Sequence, residues 1–464
     1  MGRFIDRQSE METLEREYCR EGASFVVVYG RRRVGKTALI NEFCKNKPAL
    51  YYLATEESEN QNRMAFRDMV ADFLKNPLVS QASFVRWDDL FALLAEAASP
   101  EERLVIVIDE FQYLGKANSA FPSIFQRIWD TMLSQRNIMV ILCGSLVTLM
   151  SAQVLDYESP LYGRRTAQIH LRPLPFRFYG DFFEDKSRRE LVEFYSVTGG
   201  VPKYIELFED EPDVYRAISR NVLNPDSFLF DEPTFLLQKE VSEIGSYFSI
   251  IKAIAAGNQK AGAIAARLEV PQTHLSRYLK TLISLDMIER EVPVTEKNPE
   301  NSKKSLYRLK DNFLQFWFQF VQPGLSYLES GHGELVLDRL KKSFIDRHVA
   351  YVYEDVCRAR LWDLSAQGIV PVFLEKVGRW WDAKDGEIDI VGLSEADNAI
   401  VFGECKFKST PVGVDVLTAL EEKSCRVKWG VSDRQEYFVL FSISGFSDAL
   451  HQVADQRSNV ILAE

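Results

Sequence analysis

The sequence predicts an α/β protein of several domains, and three observations carry that expectation. Residues 1–175 alternate short apolar runs, rich in β-branched residues, with stretches of helical periodicity, as a sheet with crossover helices requires. A glycine-rich loop, Gly30-Arg31-Arg32-Arg33-Val34-Gly35-Lys36-Thr37, falls between one such run and one such helix. Residues 326–464 return to mixed strand and helix patterns after a helical middle. The chain has 464 residues, room for about three or four domains at roughly 100–200 residues each.

In chain order, the first apolar run is residues 25–29, Phe-Val-Val-Val-Tyr, and the helical pattern begins at Ala38-Leu39-Ile40. Strand, glycine-rich loop, helix is the context of a P-loop, G-x-x-x-x-G-K-T. Its glycines let the N–H groups of residues 30–37 curl around phosphate oxygens at a helix N-terminus, where partial positive charge favours an anion. Lys36 is expected to reach the β- and γ-phosphates and the Thr37 hydroxyl to ligate Mg²⁺. Residues 104–108, Leu-Val-Ile-Val-Ile, read as a strand buried on both faces. Asp109-Glu110 follows it, which is the Walker B pattern. Asp109 is expected to hold Mg²⁺ through water and Glu110 to polarise the attacking water. Residues 121–134 carry a helix and residues 138–143 another buried strand. Ser145 after that strand is either a γ-phosphate sensor or a plain turn serine. Arg164 and Arg165 either stabilise the charge of phosphoryl transfer, in cis or on a neighbouring subunit, or form surface ion pairs.

Bulk properties narrow the class. No apolar run approaches the ~18 residues of a membrane span, and the N-terminus lacks an apolar signal core. The six cysteines form no C-x-x-C pair, which fits reduced thiols in the cytoplasm. The five histidines show no metal-ligand spacing. A net charge of −11 argues against indiscriminate nucleic-acid binding by the whole surface.

Phe4-Ile5-Asp6-Arg7-Gln8-Ser9-Glu10, the P-loop, Ile108-Asp109-Glu110-Phe111-Gln112, Leu161-Tyr162-Gly163-Arg164 and Thr198-Gly199-Gly200-Val201-Pro202-Lys203-Tyr204 together resemble the archaeal-type ATPases of the STAND branch of AAA-like P-loop proteins. The resemblance runs through the chain. It implies that Arg7 and Pro202 lie near the nucleotide, and that Gly200 and Pro202 belong to a helical lid that responds to nucleotide state. It also favours ATP over GTP, since no Asn-Lys-x-Asp motif is present.

Pro173 and Pro175 mark the end of the first domain, and residues 176–240 read as the helical lid. Residues 241–325 show helix-turn-helix grammar: a short helix at 260–268, a turn at 269–272 and a longer helix at 273–287. Residues 292–307 form a candidate wing with Lys297, Lys303 and Lys304 at its tip. Gln272, His274, Ser276, Arg277 and Lys280 would face outward and suit phosphate and base contacts. The alternative is that this winged helix packs on the ATPase or on another protein, a partner or a second copy of the chain.

In residues 326–464, strands at 387–391 and 399–404 are spaced as a hairpin. Side chains alternate along a strand, so Glu404 and Lys406 share a face, and the hairpin brings Asp389 beside them. Two carboxylates can hold Mg²⁺, with Mn²⁺ as an alternative, while Lys406 orients or deprotonates a water. The arrangement resembles the PD-(D/E)xK nuclease core, with Asp389, Glu404 and Lys406 fitting its motif and Glu354 fitting the helix-borne acid of some members. The archaeal-type ATPases often carry such a C-terminal domain of unknown function. The expectation is thus a P-loop sheet with helical lid, winged helix-turn-helix and nuclease-like α/β domain: an ATP-hydrolysing switch directed at DNA more than RNA, whose last domain cuts a phosphodiester with Mg²⁺ or Mn²⁺. Its rival is a regulatory ATPase whose last domain binds nucleic acid or protein without cleaving.

Overall fold

The computed structural model describes residues 4–384, 386–431 and 433–464. The chain forms two compact units, one of residues 1–178, 201–206 and 234–242, the other of residues 179–200, 207–233 and 243–464.

The first unit is built on five strands: β1 (Ser24–Tyr29), β2 (Ala49–Leu53), β3 (Leu104–Asp109), β4 (Ile138–Gly144) and β5 (Ala167–His170). Their order is β2-β3-β4-β1-β5, and every pairing is parallel. β3 and β4 are buried at every residue, which is why they read as unbroken apolar runs. Alternation sorts the side chains into two cores. Phe25, Val27, Ile106, Ile108 and Val140 meet an aromatic layer of Phe66, Phe91, Phe125 and Trp129. Val26, Val28, Val105 and Val107 meet Leu14, Leu39, Ile40 and Phe43 from the Gln8–Tyr18 and Lys36–Cys44 helices. Phe125 contacts Phe25, Phe91 and Phe111 edge-on; truncating such a ring costs about 3–5 kcal/mol. Sequence reading passed over β2, a short apolar and aromatic run only partly buried, and β5, four residues of mixed polarity.

The second unit opens with helices. Ser187 and Glu190 form a capping box on the Arg188–Thr198 helix, which ends on Gly199 in the left-handed conformation. Three helices, Ile244–Ala255, Ala261–Leu268 and Gln272–Ser284, precede the antiparallel pair β6 (Ile288–Glu291) and β7 (Leu306–Leu309). β6 therefore lies before the 292–307 stretch expected to be the hairpin, and β7 overlaps only its last two residues. Residues 288–291 pair with 306–309 from Ile288 opposite Leu309 to Glu291 opposite Leu306, and the stretch between them, with its prolines and lysines, is a loop. Residues 201–206 and 234–240, inside the expected lid, group with the parallel sheet, as do 241–242 just past it.

The C-terminal sheet contains β8 (Lys376–Trp381), β9 (Glu387–Ser394), β10 (Ala399–Lys406), β11 (Gln435–Ser442) and β12 (Val460–Ala463), in the order β12-β11-β10-β9-β8. β9 runs antiparallel to β8 and β10, while β10, β11 and β12 are parallel. Ile388, Ile400, Phe402 and Leu440 pack against Leu417, Leu420 and Leu450 of the covering helices. Among the described residues no helix is long and apolar enough to cross a membrane. All six cysteines are free thiols.

Candidate functional site

β4 lies between β1 and β3, so the loops leaving their carboxyl ends share one crevice, the usual ligand position in an open α/β sheet. β1 delivers residues 30–37, β3 delivers Asp109 and Glu110, and β4 delivers Ser145.

The loop needs its glycines. A Cβ on Gly30 would sit 2.2 Å from the Leu171 carbonyl oxygen. Gly35 caps the Lys36–Cys44 helix at φ +95, which a side chain would strain. Lys36 is 6 % exposed and donates from Nζ to the carbonyls of Gly30 at 2.8 Å and Arg31 at 2.9 Å. Burial pushes its ammonium below the ordinary lysine range, against the pull of Cys143, Glu110 and Asp109. Thr37 Oγ1 donates to Asp109 Oδ2 at 3.3 Å, and Tyr51 donates to the same oxygen. This hydroxyl–carboxylate pair is a hard-oxygen donor set and fits Mg²⁺. The glycine loop, the helix N-terminus and the buried lysine fit a phosphate chain.

Glu110 occupies the left-handed region at φ 53, which costs a residue with a Cβ about 1–2 kcal/mol. Its Oε2 accepts from Ser145 Oγ at 2.7 Å, from Ser145 N at 3.2 Å and from Gln112 Nε2. Ser145 is thus tied to Glu110. Behind the loop, Arg7 is buried and itself left-handed at φ 75. It donates from Nη2 to Val34 O at 3.0 Å and Arg172 O at 2.7 Å. Burial pushes its guanidinium down, against Glu10 and Asp6. Arg7 braces the loop from its backbone side.

The segment Val201–Glu206 also meets the loop. Pro202 Cγ lies 3.9 Å from where a Gly35 Cβ would stand. Arg31 donates to Tyr204 OH at 3.1 Å and Arg32 to Tyr113 OH at 3.0 Å. Glu240 accepts from Val147 N at 3.0 Å and Thr148 Oγ1 at 2.8 Å, just after Ser145. Burial pushes its carboxyl up. Arg164 instead pairs with Asp130 through Nε at 2.9 Å and Nη2 at 2.9 Å; in this conformation it is a surface ion pair. Tyr51, Tyr113 and Glu240 were missed by motif reading, because none lies in a spaced signature; Gln112 was read within the Ile108–Gln112 motif but given no role.

The second constellation sits on β9 and β10. Ile390 pairs with Gly403, and Asp389 Oδ2 accepts from Cys405 N at 2.9 Å. Glu404 Oε1 accepts from Lys406 Nζ at 2.6 Å. Lys423, on the Val414–Ser424 helix, reaches both Glu404 oxygens at 3.2 and 3.1 Å. Glu354, on the Ala350–Ala366 helix, is paired with Arg379, which also lies 3.4 Å from Glu387. Burial pushes the Asp389 carboxyl up, reinforced by Glu404. Burial pushes the Lys406 ammonium down, but Glu404 and Asp389 outweigh it and hold it above its ordinary range. Among the described residues no group of three or more His, Cys, Asp or Glu side chains is arranged to hold a metal ion. Glu404 and Glu354 are spoken for by Lys406, Lys423 and Arg379, so the carboxylates as arranged do not fit a divalent cation. Lys423 and Arg379 were missed because they come from elements distant in sequence.

Residues 4–208 match the family of ATPase domains found predominantly in Archaea. Residues 317–426 match a family of archaeal and bacterial proteins of unknown function. An uncharacterized protein of Methanocaldococcus jannaschii, MJECL04, is 34 % identical over 405 residues, covering 87 % of this chain and 88 % of its own. The uncharacterized ATP-binding protein MJ0423 of the same organism is 50 % identical over 44 residues, 10 % of this chain and 75 % of its own. The fold is similar to that of the Walker-type ATPase of Pyrococcus abyssi, with a TM-score of 0.52 at 21 % identity over 68 % of this chain and 96 % of that one. The P-loop crevice and these matches agree: the chain belongs to the archaeal-type P-loop ATPases and carries their C-terminal domain of unknown function.

Proposed function

We propose that this protein is an ATP-driven regulatory switch that binds its target, through the winged helix-turn-helix and the C-terminal domain, without cutting it. ATP would lie along residues 30–37, with Lys36 on the β- and γ-phosphates and Thr37 and Asp109 at Mg²⁺, which supplies charge neutralisation when bound. Glu110 acts as the water-polarising base. Ser145 holds Glu110, and a γ-phosphate arriving beside Ser145 competes for its hydroxyl. Arg31–Tyr204 and the Pro202 contact give the lid segment a direct reading of the loop. The observation carrying the non-cleaving part is the pairing of Glu404 with both Lys406 and Lys423.

The target reading is nucleic acid, DNA before RNA. Gln272, His274, Ser276, Arg277 and Lys280 are all exposed on the Gln272–Ser284 helix, the second helix of a winged helix-turn-helix arrangement. Arg277 is tied to Glu243, which weakens this face as an anion site. A protein partner or second copy on the same helix is the competing outcome.

One observation favours the second reading, a metal-dependent nuclease. The β9–β10 hairpin brings Asp389, Glu404 and Lys406 within one small site. Plasmid and single-stranded DNA incubated with the full chain, Mg²⁺ or Mn²⁺, and ATP or ADP test both readings. Intact substrate in every nucleotide state supports the switch; cleavage abolished by Lys406→Ala overturns it in favour of the nuclease.

A further inference from the structure

Within the second unit, two successive helical stretches leave a cleft of about 310 Å³ between them. One wall carries Gln319, Pro323 and Tyr327, four residues apart, and the other carries Leu335, Arg339, Ser343 and Arg347, also four apart. The first set comes from the successive helical segments Trp317–Val321, Gln322–Gly324 and Leu325–Glu329, the second from Gly333–Lys341, Ile345–Val349 and the turn between them. The floor is Val336 and Leu340, both buried. The cleft is narrow where the walls meet: a Cβ on Gly324 would lie 2.8 Å from Val336 Cγ2. Tyr327 and Leu335 are more than half exposed, at 56 % and 58 %.

Two other arginines of this unit are matched by acids: Arg308 has Glu289, Glu291 and Asp355, and Arg379 has Glu354 and Glu387. Arg339 and Arg347 line the cleft, and among the described residues neither guanidinium has an acid within ion-pair distance. No aspartate or glutamate lines the cleft. Two guanidinium forks above an apolar floor are complementary to a molecule with an anionic head and an apolar body. The volume sits at the lower end of small-molecule pockets, roughly 300–1,000 Å³. That is far short of the groove a partner helix requires.

We propose that this cleft is a binding site for a small amphipathic anion, an aromatic or short acyl carboxylate, sulfonate or phosphate. The head group lies between Arg339 and Arg347, and the apolar body lies on Leu340 and Val336 against Phe320 and Tyr327. The site is separate from both phosphate-chemistry constellations and does not depend on the switch reading.

The test uses 1-anilinonaphthalene-8-sulfonate with the full chain, and N-phenyl-1-naphthylamine as the same ring system without the charge. Fluorescence titration is expected to give one saturable sulfonate site, with the neutral probe at least about tenfold weaker, one bidentate charge-assisted contact being worth that much. Arg339→Gln with Arg347→Gln should weaken the sulfonate at least about tenfold and leave the neutral probe unchanged. Ser343→Phe, which fills the cleft, should weaken both. Thermal melting of each variant checks folding; both arginines are exposed, so the double variant is expected to melt as the parent does. Equal affinity for the two probes, or sulfonate binding unaltered by both the arginine and the Ser343 variants, overturns the proposal.

Discussion

The P-loop crevice and the β9–β10 site contain similar chemistry on paper: a lysine, a carboxylate pair and a strand end to hold them. Their charge arrangements differ. In the crevice, Lys36 rests on the carbonyls of Gly30 and Arg31 while Asp109 faces Thr37. Cation and anion stand apart, each with neutral partners that a phosphate or a metal ion can replace. On β10, Lys406 and Lys423 are both on Glu404, and Arg379 is on Glu354. There the charges cancel within the protein. Displacing a paired charge from a partly buried site costs several kcal/mol, more than displacing a hydrogen bond to a carbonyl. A motif names the side chains; the partners of those side chains decide what they can take up.

Lys36→Ala should make the largest difference. Phosphate release from ATP is expected to fall at least about 100-fold, the loss typical of a preorganised charge contact to the reacting group. Retained hydrolysis would erase the contrast between the two sites. Glu110→Gln comes next, with turnover down about 100-fold and ATP binding kept, as for a lost general base. Binding of a fluorescent ATP analogue together with phosphate release separates it from Lys36→Ala.

A third experiment asks whether the second unit behaves differently under acid. Burial holds the His348 imidazole down at about 4, with its ring nitrogen 2.7 Å from Ser196 O. A depressed folded value means stability that is full above the unfolded value near 6.5 and is lost as pH falls toward 4. Raised carboxyls elsewhere in the unit, such as Asp389, push stability the other way over part of this range. The clean readout is therefore the difference between the parent and His348→Leu. That difference should shift by about 3 kcal/mol between pH 7 and 4, measured by denaturant titration.

Lys423→Ala addresses the cancelled charges directly. It removes one of two cations from Glu404, and Mn²⁺ binding to the full chain by calorimetry should tighten by about tenfold. No change would mean that the charge pairing is not what keeps metal out. The smallest effect is expected for Tyr204→Phe. It deletes one hydrogen bond to Arg31 and should cost about 1 kcal/mol of stability, with a change in ATP affinity of similar size.

Legibility in the sequence followed locality. Residues 30–37 and Asp109-Glu110 were readable because a few consecutive residues define both the fold context and the chemistry. The β9–β10 hairpin was readable because alternation and spacing set its register. Lys423, Arg379 and Tyr51 reach their partners across long sequence separations, and a lysine on an amphipathic helix gives no local sign of its target. The wing strands were displaced for a related reason. Residues 292–305 have the composition of a turn, whereas β6 and β7 pair through the less conspicuous residues on either side. Ser145 was legible as a position but not as a role, since its partner Glu110 is fixed only by the adjacency of β3 and β4.

The chain passes between its two units at residues 178–179, 200–201, 206–207, 233–234 and 242–243. Cloning boundaries must respect that weave. A fragment ending near residue 175 would keep every strand of the parallel sheet yet lose Pro202, Tyr204 and Glu240, the side chains that meet residues 30–37 and the start of the Val147–Met150 helix. Such a fragment would keep the phosphate loop and lose the contacts on which the proposed switch rests. The same interlacing makes a simple domain swap between relatives a poor experiment, because no single junction separates the two units.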